Sequence, residues 1–239
     1  TVIAHIVMIF FCFLCLFFFY VLLINATRNN FQIQKGFSFV PGLSLFQNIK
    51  NVLRDANIPV ISGLRNSLIV SAMSAVLAVY FSALTAYGLY AYKFRLRKFC
   101  FVFILLIMAM PTQVSALGFI RLITRMKLMD TLVPLFLPSI AAPAVFYFMY
   151  SYMQSTLPLE LVEAARIDGS GEFRTFNFIV LPLMKPAMAV QAIFTFVGTW
   201  NNYFMPALLL SEDKKKTLPI LIAQLRSADW LKFDMGQVY

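Results

Sequence analysis

Apolar and polar residues alternate along this chain in long blocks, not in the short periods of a soluble fold. Five blocks, at about residues 1–24, 67–90, 99–120, 132–152 and 186–210, are long enough for a helix to cross a bilayer, which takes about 20 apolar residues. The first carries no charge and no small-residue cleavage site follows it, so it is a spanning helix and not a secretion signal. The second is rich in Ala and Ser, which let helix backbones approach closely where lipid provides no hydrophobic drive. Pro111 is expected to kink the third. Pro134, Pro138 and Pro143 interrupt the fourth, tolerably if neighbouring helices or waters satisfy the freed carbonyls.

Residues 25–66 form a polar connection with Asn29, Asn30, Pro41, Gly42 and Pro59. Within it Leu45, Ile49, Val52 and Leu53 share one face of a short surface helix. Residues 211–239 hold no apolar run long enough to cross. The pattern therefore predicts an all-α integral membrane protein, residues 1–239 forming one transmembrane domain of about five spans.

Composition agrees: 61% of residues are hydrophobic and 13% charged, far from a soluble average. The formal charge of +10 sits in short clusters between apolar runs, the pattern of loops meeting anionic headgroups, so nucleic acid is excluded as a partner. Counted over whole loops, both membrane sides carry equal densities of Lys and Arg. Only the dense, short turn Lys93, Arg95, Arg97, Lys98 marks one side as cytoplasmic.

Chemistry is sparse. Cys12 and Cys15 lie inside the first apolar block, where low dielectric disfavours a thiolate; Cys100 stands alone, and His5 has no second ligand, so no metal is implied. No G-x-x-x-x-G-K-[ST] occurs, and Gly169-Ser170-Gly171 lacks the lysine and preceding strand of a phosphate loop, so the chain is not an ATPase. A membrane enzyme would need a constellation of His, Asp, Glu or Cys that is missing. The interior of the second to fifth blocks lacks Asp, Glu, Lys and Arg, against an ion-coupled pathway.

The informative stretch is 157–186, LPLELVEAARIDGSGEFRTFNFIVLPLMKP. Pro158 suits a first helical turn, Glu160 and Glu163 face the positive N-terminal end, and Gly169 supplies a left-handed ending. A short helix over 158–168 follows, with Leu161, Ala164 and Ala165 making a flat apolar stripe. A second short helix over 171–179 is expected to stop at Pro182. Physics alone leaves two readings open, a helix lying on headgroups and a helix whose flat face admits a partner.

Glu163-Ala164-Ala165, Gly169, Ile179 and Leu181-Pro182 resemble the EAA loop of bacterial ABC importer permeases, E-A-A-x-x-x-G-x9-I-x-L-P, with every anchor present. Asn66-Ser67, Ala86-Tyr87-Gly88, Pro111-x-Gln113, Asp130-Thr131 and Trp200-Asn201 look like the maltose-type, carbohydrate-importing branch of that family. Gly118, Lys127 and Asn202 depart from it, standing where proline, glycine and an acidic residue are common.

The resemblance implies a type I importer permease in a bacterial inner membrane, with loop 155–185 in the cytoplasm. Its short coupling helix would dock on a dimeric ABC ATPase through Leu161, Glu163, Ala164, Ala165, Asp168, Gly169, Ile179, Leu181 and Pro182. Glu163 would make charged contacts, Ala164 and Ala165 would allow close packing, and Gly169 would permit the turn. ATP and Mg would sit on that partner, with no cofactor on this chain.

A second, different permease subunit, an extracytoplasmic solute-binding protein and a sugar or oligosaccharide complete the implied system. A segment ahead of residue 1 and a sixth helix after residues 236–239 are expected too. Gln113, Gln191, Trp200, Asn201, Asn202 and Tyr203 offer the amides and rings a sugar wants, although an interfacial aromatic belt explains the same residues. The rival reading is a secondary transporter or channel subunit driven by an ion gradient.

Overall fold

The computed structural model describes residues 2–54, 58–227, 235–237 and 239. Among them every regular element is a helix, and contacts group the chain into two units, Thr1–Gly63 with Ile220–Tyr239, and Leu64–Pro219.

The first unit opens with α1 (Val2–Ala26), whose phenylalanines face outward along its length, except Phe17, which packs on Phe37 and Phe39. In water such a surface would be untenable; in lipid it is the expected one. The connection that follows is more structured than its polarity suggests. Asn29 accepts from the Gln32 amide while the Gln32 side chain accepts from the Asn29 amide, a reciprocal cap that starts α2 (Asn30–Gln34). Buried Arg28 donates to Asn25 Oδ1 and to the carbonyls of Gln32 and Gly36.

Asn48, on α3 (Leu45–Arg54), donates 2.9 Å bonds to the carbonyls of Ala26 and Arg28. Gly42 is required where the chain passes this turn, because a Cβ there would stand 2.4 Å from the Thr27 carbonyl oxygen. Leu45, Ile49 and Leu53 stay exposed on α3, as an interfacial helix needs.

The second unit is built on α4 (Val60–Ala91), which starts seven residues earlier than the apolar block and so contains Asn66. Next come α5 (Arg97–Met108) and α6 (Thr112–Arg125). The kink expected at Pro111 is a full break, with the two axes 100° apart. Met110 precedes a proline, which disfavours the helical region there, and Pro111 itself is extended at φ −63°, ψ 130°.

The fourth block is also divided, into α7 (Val133–Phe136), a 3-10 turn Leu137–Ile140, and α8 (Pro143–Thr156). Its three prolines each occupy a first turn, where the missing N–H was unneeded. After α9 (Leu159–Ile167), the elements α10 (Glu172–Thr175), a π-helical turn Phe176–Val180 and α11 (Leu181–Trp200) run together as one 29-residue helix. The expected stop at Pro182 is therefore corrected. Leu181 bonds back to Phe176, five residues earlier, and the widened turn admits the proline ring without breaking the helix.

The fifth block ends sooner than its apolarity implies. Asn201 caps α11, and α12 (Phe204–Leu209) restarts the helix with Pro206 in its first turn. The last α-helix among the described residues, α13 (Leu218–Ser227), has 10 residues, fewer than a crossing takes; residues 228–234 and 238, which share that expectation, lie outside the described residues. Among the described residues four helices are long and apolar enough to span, and the broken pair α5–α6 makes five if counted as one.

The core of the second unit lies where α4, α8 and the long third helix meet. Ala78, Ala83 and Ala86 of α4 are fully buried against Phe146, Met149 and Met153 of α8 and Phe176, Val180 and Met184. Close van der Waals packing over an alanine stripe holds these helices, since lipid is as apolar as the side chains themselves.

Candidate functional site

The site is α9, set at the end of this core. Pro158 stands just before it as an extended cap residue, φ −65° and ψ 128°, one position earlier than expected. At the other end Gly169 has φ +77°. Its amide bonds to the Arg166 carbonyl and that of Ser170 to the Ala165 carbonyl, the paired bonds of a left-handed helix ending that a β-carbon would strain.

Val162 (1% exposed) and Ala165 (6%) point inward, Val162 into the core that α4, α8 and Phe176 enclose. Outward stand Leu161 (44% exposed), Glu163, Ala164, Ile167 (87%) and Asp168. The expected stripe is thus split. Leu161 and Ala164 face away from the protein, while Ala165 belongs to its interior. Glu163 is exposed and, among the described residues, forms no ion pair.

A groove of about 330 Å³ runs beside the helix and brings together Ala165, Asp168, Gly169 and Ile179 with Arg174 and Phe178. Leu181 packs on the core and Pro182 is exposed, on the helix that continues beyond the groove.

Five residues absent from the expected set, Tyr87, Tyr90, Tyr92, Arg166 and Glu172, fasten α9. Glu172, the first residue of α10, accepts from the Tyr87 hydroxyl of α4 at 2.9 Å and from Arg166 Nε of α9 at 2.7 Å. The Arg166 guanidinium stands 5.0 Å over the Tyr92 ring, close enough for a cation–π attraction. Burial first, and Glu172 next, push the Tyr92 phenol above its ordinary range. The Tyr90 hydroxyl donates to the Leu157 carbonyl at 3.0 Å. The sequence signal was a run of tyrosines, Tyr87, Tyr90 and Tyr92, ending α4. The basic turn follows directly, so it shares an end of this unit with α9.

The expected pathway residues are not gathered together. Asn202 lines an apolar hollow of about 540 Å³ with Ile107, Met110, Phe119, Pro138 and Met205. Gln113, exposed on α6, and Gln191, half-buried on α11, are not part of its lining, nor are Trp200 and Tyr203. Trp200 stacks on Phe196 with ring centroids 5.7 Å apart, and Asn201 is the exposed cap of α11.

At the opposite end, Asp130 (φ +58°) accepts from the amides of Ser211 and Glu212 at 2.9 and 3.1 Å and from Lys215 Nζ at 3.4 Å. Those bonds, the two amides before the lysine, hold its carboxyl below the usual range. Buried Asn66 donates to the carbonyls of Lys214 and Lys216, and the Leu218 amide donates to Ser67.

Helices that cross a membrane, with a short capped helix at one end of their bundle, define a multi-pass membrane component. Residues 78–231 match the family described as the binding-protein-dependent transport system inner membrane component, and the chain belongs to that family, as a multi-pass protein of the bacterial inner membrane. It is 36% identical over 170 residues to the arabinooligosaccharides transport system permease protein AraQ of Bacillus subtilis, covering 71% of this chain and 60% of that protein. To the sn-glycerol-3-phosphate transport system permease protein UgpE of Yersinia pestis it is 35% identical over 241 residues, 98% of this chain and 85% of that one. To the lactose transport system permease protein LacG of Rhizobium radiobacter it is 29% identical over 216 residues, covering 90% and 78%.

The chain thus spans three fifths of the length of the AraQ protein. In fold it is like a chain of a crystal structure described as a bacterial ABC transporter involved in the import of the acidic polysaccharide alginate, with a TM-score of 0.83, 19% identity, and coverage of 99% of this chain and 87% of that one.

Proposed function

We propose that the chain is a transmembrane permease subunit of an ATP-driven importer for a sugar or oligosaccharide, with α9 as the helix that docks on a separate cytoplasmic ATPase. The observation that carries this reading is the split face of α9: Val162 and Ala165 anchor it inward, while Leu161, Ala164 and Ile167 stand bare. An 87% exposed isoleucine on a helix beside Glu163 and Asp168 fits the apolar centre and charged rim of a docking surface. The names of the AraQ and LacG relatives support a carbohydrate substrate.

In this reading Glu163 makes charged contacts with the ATPase and Ala164 lets its backbone approach, while Ala165, Gly169, Ile179, Leu181 and Pro182 shape and carry the helix. ATP and Mg belong to the ATPase dimer. The implied assembly adds a second permease subunit and an extracytoplasmic solute-binding protein. The chain's shape changes only if the ATP-bound and ATP-free partner prefer different conformations of it. The ion-driven alternative gains nothing from the family to which the chain belongs.

Ala164→Trp places a large ring on the outward face without entering the core. The chain should then reach the membrane at wild-type level, yet retain less than about a tenth of the co-purifying ATPase, an effect of hot-spot size. Undiminished ATPase recovery with Trp at 164 would contradict the assignment.

A further inference from the structure

Glu172 is the point at which α9 is tied to a membrane span. Its two oxygens are used by different elements: Oε2 accepts from Tyr87 of α4, and Oε1 from Arg166 of α9. Tyr87 is 3% exposed inside the core, so its hydroxyl reaches the carboxylate from a fixed position. Arg166 is fixed from the other direction by the Tyr92 ring, which follows the end of α4. Both ends of this three-residue link therefore lead back to α4.

Stability alone gives little reason for such a link. The Arg166 and Glu172 side chains are 35% and 45% exposed, and ion pairs so accessible to water contribute little to folding. Val162 and Ala165 already bury the inner face of α9. The link does something packing does not. Apolar contacts between α9 and the core can slide, whereas hydrogen bonds of 2.7 and 2.9 Å fix direction as well as distance.

We propose that Glu172 is a positioning residue that makes α9 and α4 move as one body, so that displacement of α9 by its partner is delivered to the span and not lost in sliding. The proposal rests on the reading of α9 as an ATPase-docking helix. Arg166 and Tyr87 act with Glu172, each through one oxygen. Without the carboxylate, the partner would bind and turn over nucleotide while α4 lagged behind.

The test needs no knowledge of the sugar. In the assembled importer, with Cys12, Cys15 and Cys100 replaced by Ser, Lys93→Cys places a thiol in the exposed turn two residues past the end of α4, and its maleimide labelling rate is measured with and without a non-hydrolysable ATP analogue. With Glu172 present, nucleotide should change that rate. In Glu172→Ala the change should shrink about tenfold, within the range of a coupling free energy, while ATPase recovery and ATP hydrolysis stay near wild type. Glu172→Gln, which keeps an acceptor oxygen, should restore most of the response.

An undiminished response in Glu172→Ala overturns the proposal, as does no response with Glu172 in place. Loss of ATPase recovery in Glu172→Ala overturns it as well, assigning the residue to docking or folding. Should Glu172→Ala fail to accumulate, Tyr87→Phe decides: a reduced response supports the link and a full one overturns it. A wild-type protein that brings no ATPase with it sinks the underlying reading, a separate and recognisable outcome.

Discussion

Two carboxylates sit near opposite ends of the 29-residue helix Glu172–Trp200, about 43 Å long at 1.5 Å per residue, and they organise their surroundings differently. Asp130, beside the far end, takes two backbone amides and one lysine from the segment Ser211–Lys215. Glu172, at the near end, takes two side chains from two different helices. A carboxylate that collects amides clasps a loop whatever side chains the loop carries. One that collects a tyrosine and an arginine depends on three identities at once and joins helices. The far end is a clasp between loops, and the near end is a joint between α9 and the bundle.

The lysines follow the same division. Lys215 and Lys216 are paired with Asp130, Glu212 and Asp213. Among the described residues Lys93, Arg95 and Lys98 of the near-end turn form no ion pair, and they stand exposed where anionic headgroups would meet them.

The comparison breaks most severely at the anchor of α9. Val162→Asp would bury a charge in the core with no cation to pair it, at a cost of several kcal/mol. Membrane-inserted protein should fall sharply, or α9 should become cleavable by protease while the spans stay protected. A smaller effect is expected at the clasp. Asp130→Ala removes the acceptor of two amides, about 1–2 kcal/mol locally, and amide exchange at Ser211 and Glu212 should quicken about tenfold with α9 unaffected. Asp130→Asn keeps an acceptor oxygen and should lie between.

The smallest effect is that of pH on the clasp. Because the Asp130 carboxyl is held below its ordinary value, its contribution is complete above the unfolded value of about 3.9 and is lost as pH falls through the lower folded value. Amide protection at Ser211 and Glu212 should therefore survive mild acid and fade only beneath the usual carboxylate range. Fading near neutral pH would show that another group holds the loop.

Much of this was legible in the residues. Length and apolarity mark where the long apolar helices lie, though not their breaks or ends, and the capping chemistry from Pro158 to Gly169 defines α9 to within a residue, down to the positive φ of Gly169. What was not legible depends on contacts distant in sequence. A helical wheel puts Ala164 and Ala165 on one stripe, and only the packing of α4 and α8 separates the buried alanine from the exposed one. Pro111 and Pro182 carry the same local penalty, yet one breaks a helix and the other rides a π-turn, because the turn before Pro182 widens inside a core built on Phe176 and Val180.

The clasp pairs Asp130 with residues 81 and 82 positions on, a link no local pattern contains. Lys127, where the resemblance leads one to expect glycine, adopts φ +57° all the same. The turn keeps its left-handed backbone and bears the cost of about 1 kcal/mol or more that a side chain brings there.

The most direct measurement is the accessibility of one thiol. With Cys12, Cys15 and Cys100 replaced by Ser, Ile167→Cys is treated with a membrane-impermeant maleimide in right-side-out cells and in inverted vesicles. The thiol should label only in inverted vesicles stripped of the ATPase, and should be shielded when the ATPase is bound. Labelling from outside intact cells, or equal labelling with and without the ATPase, would contradict the account.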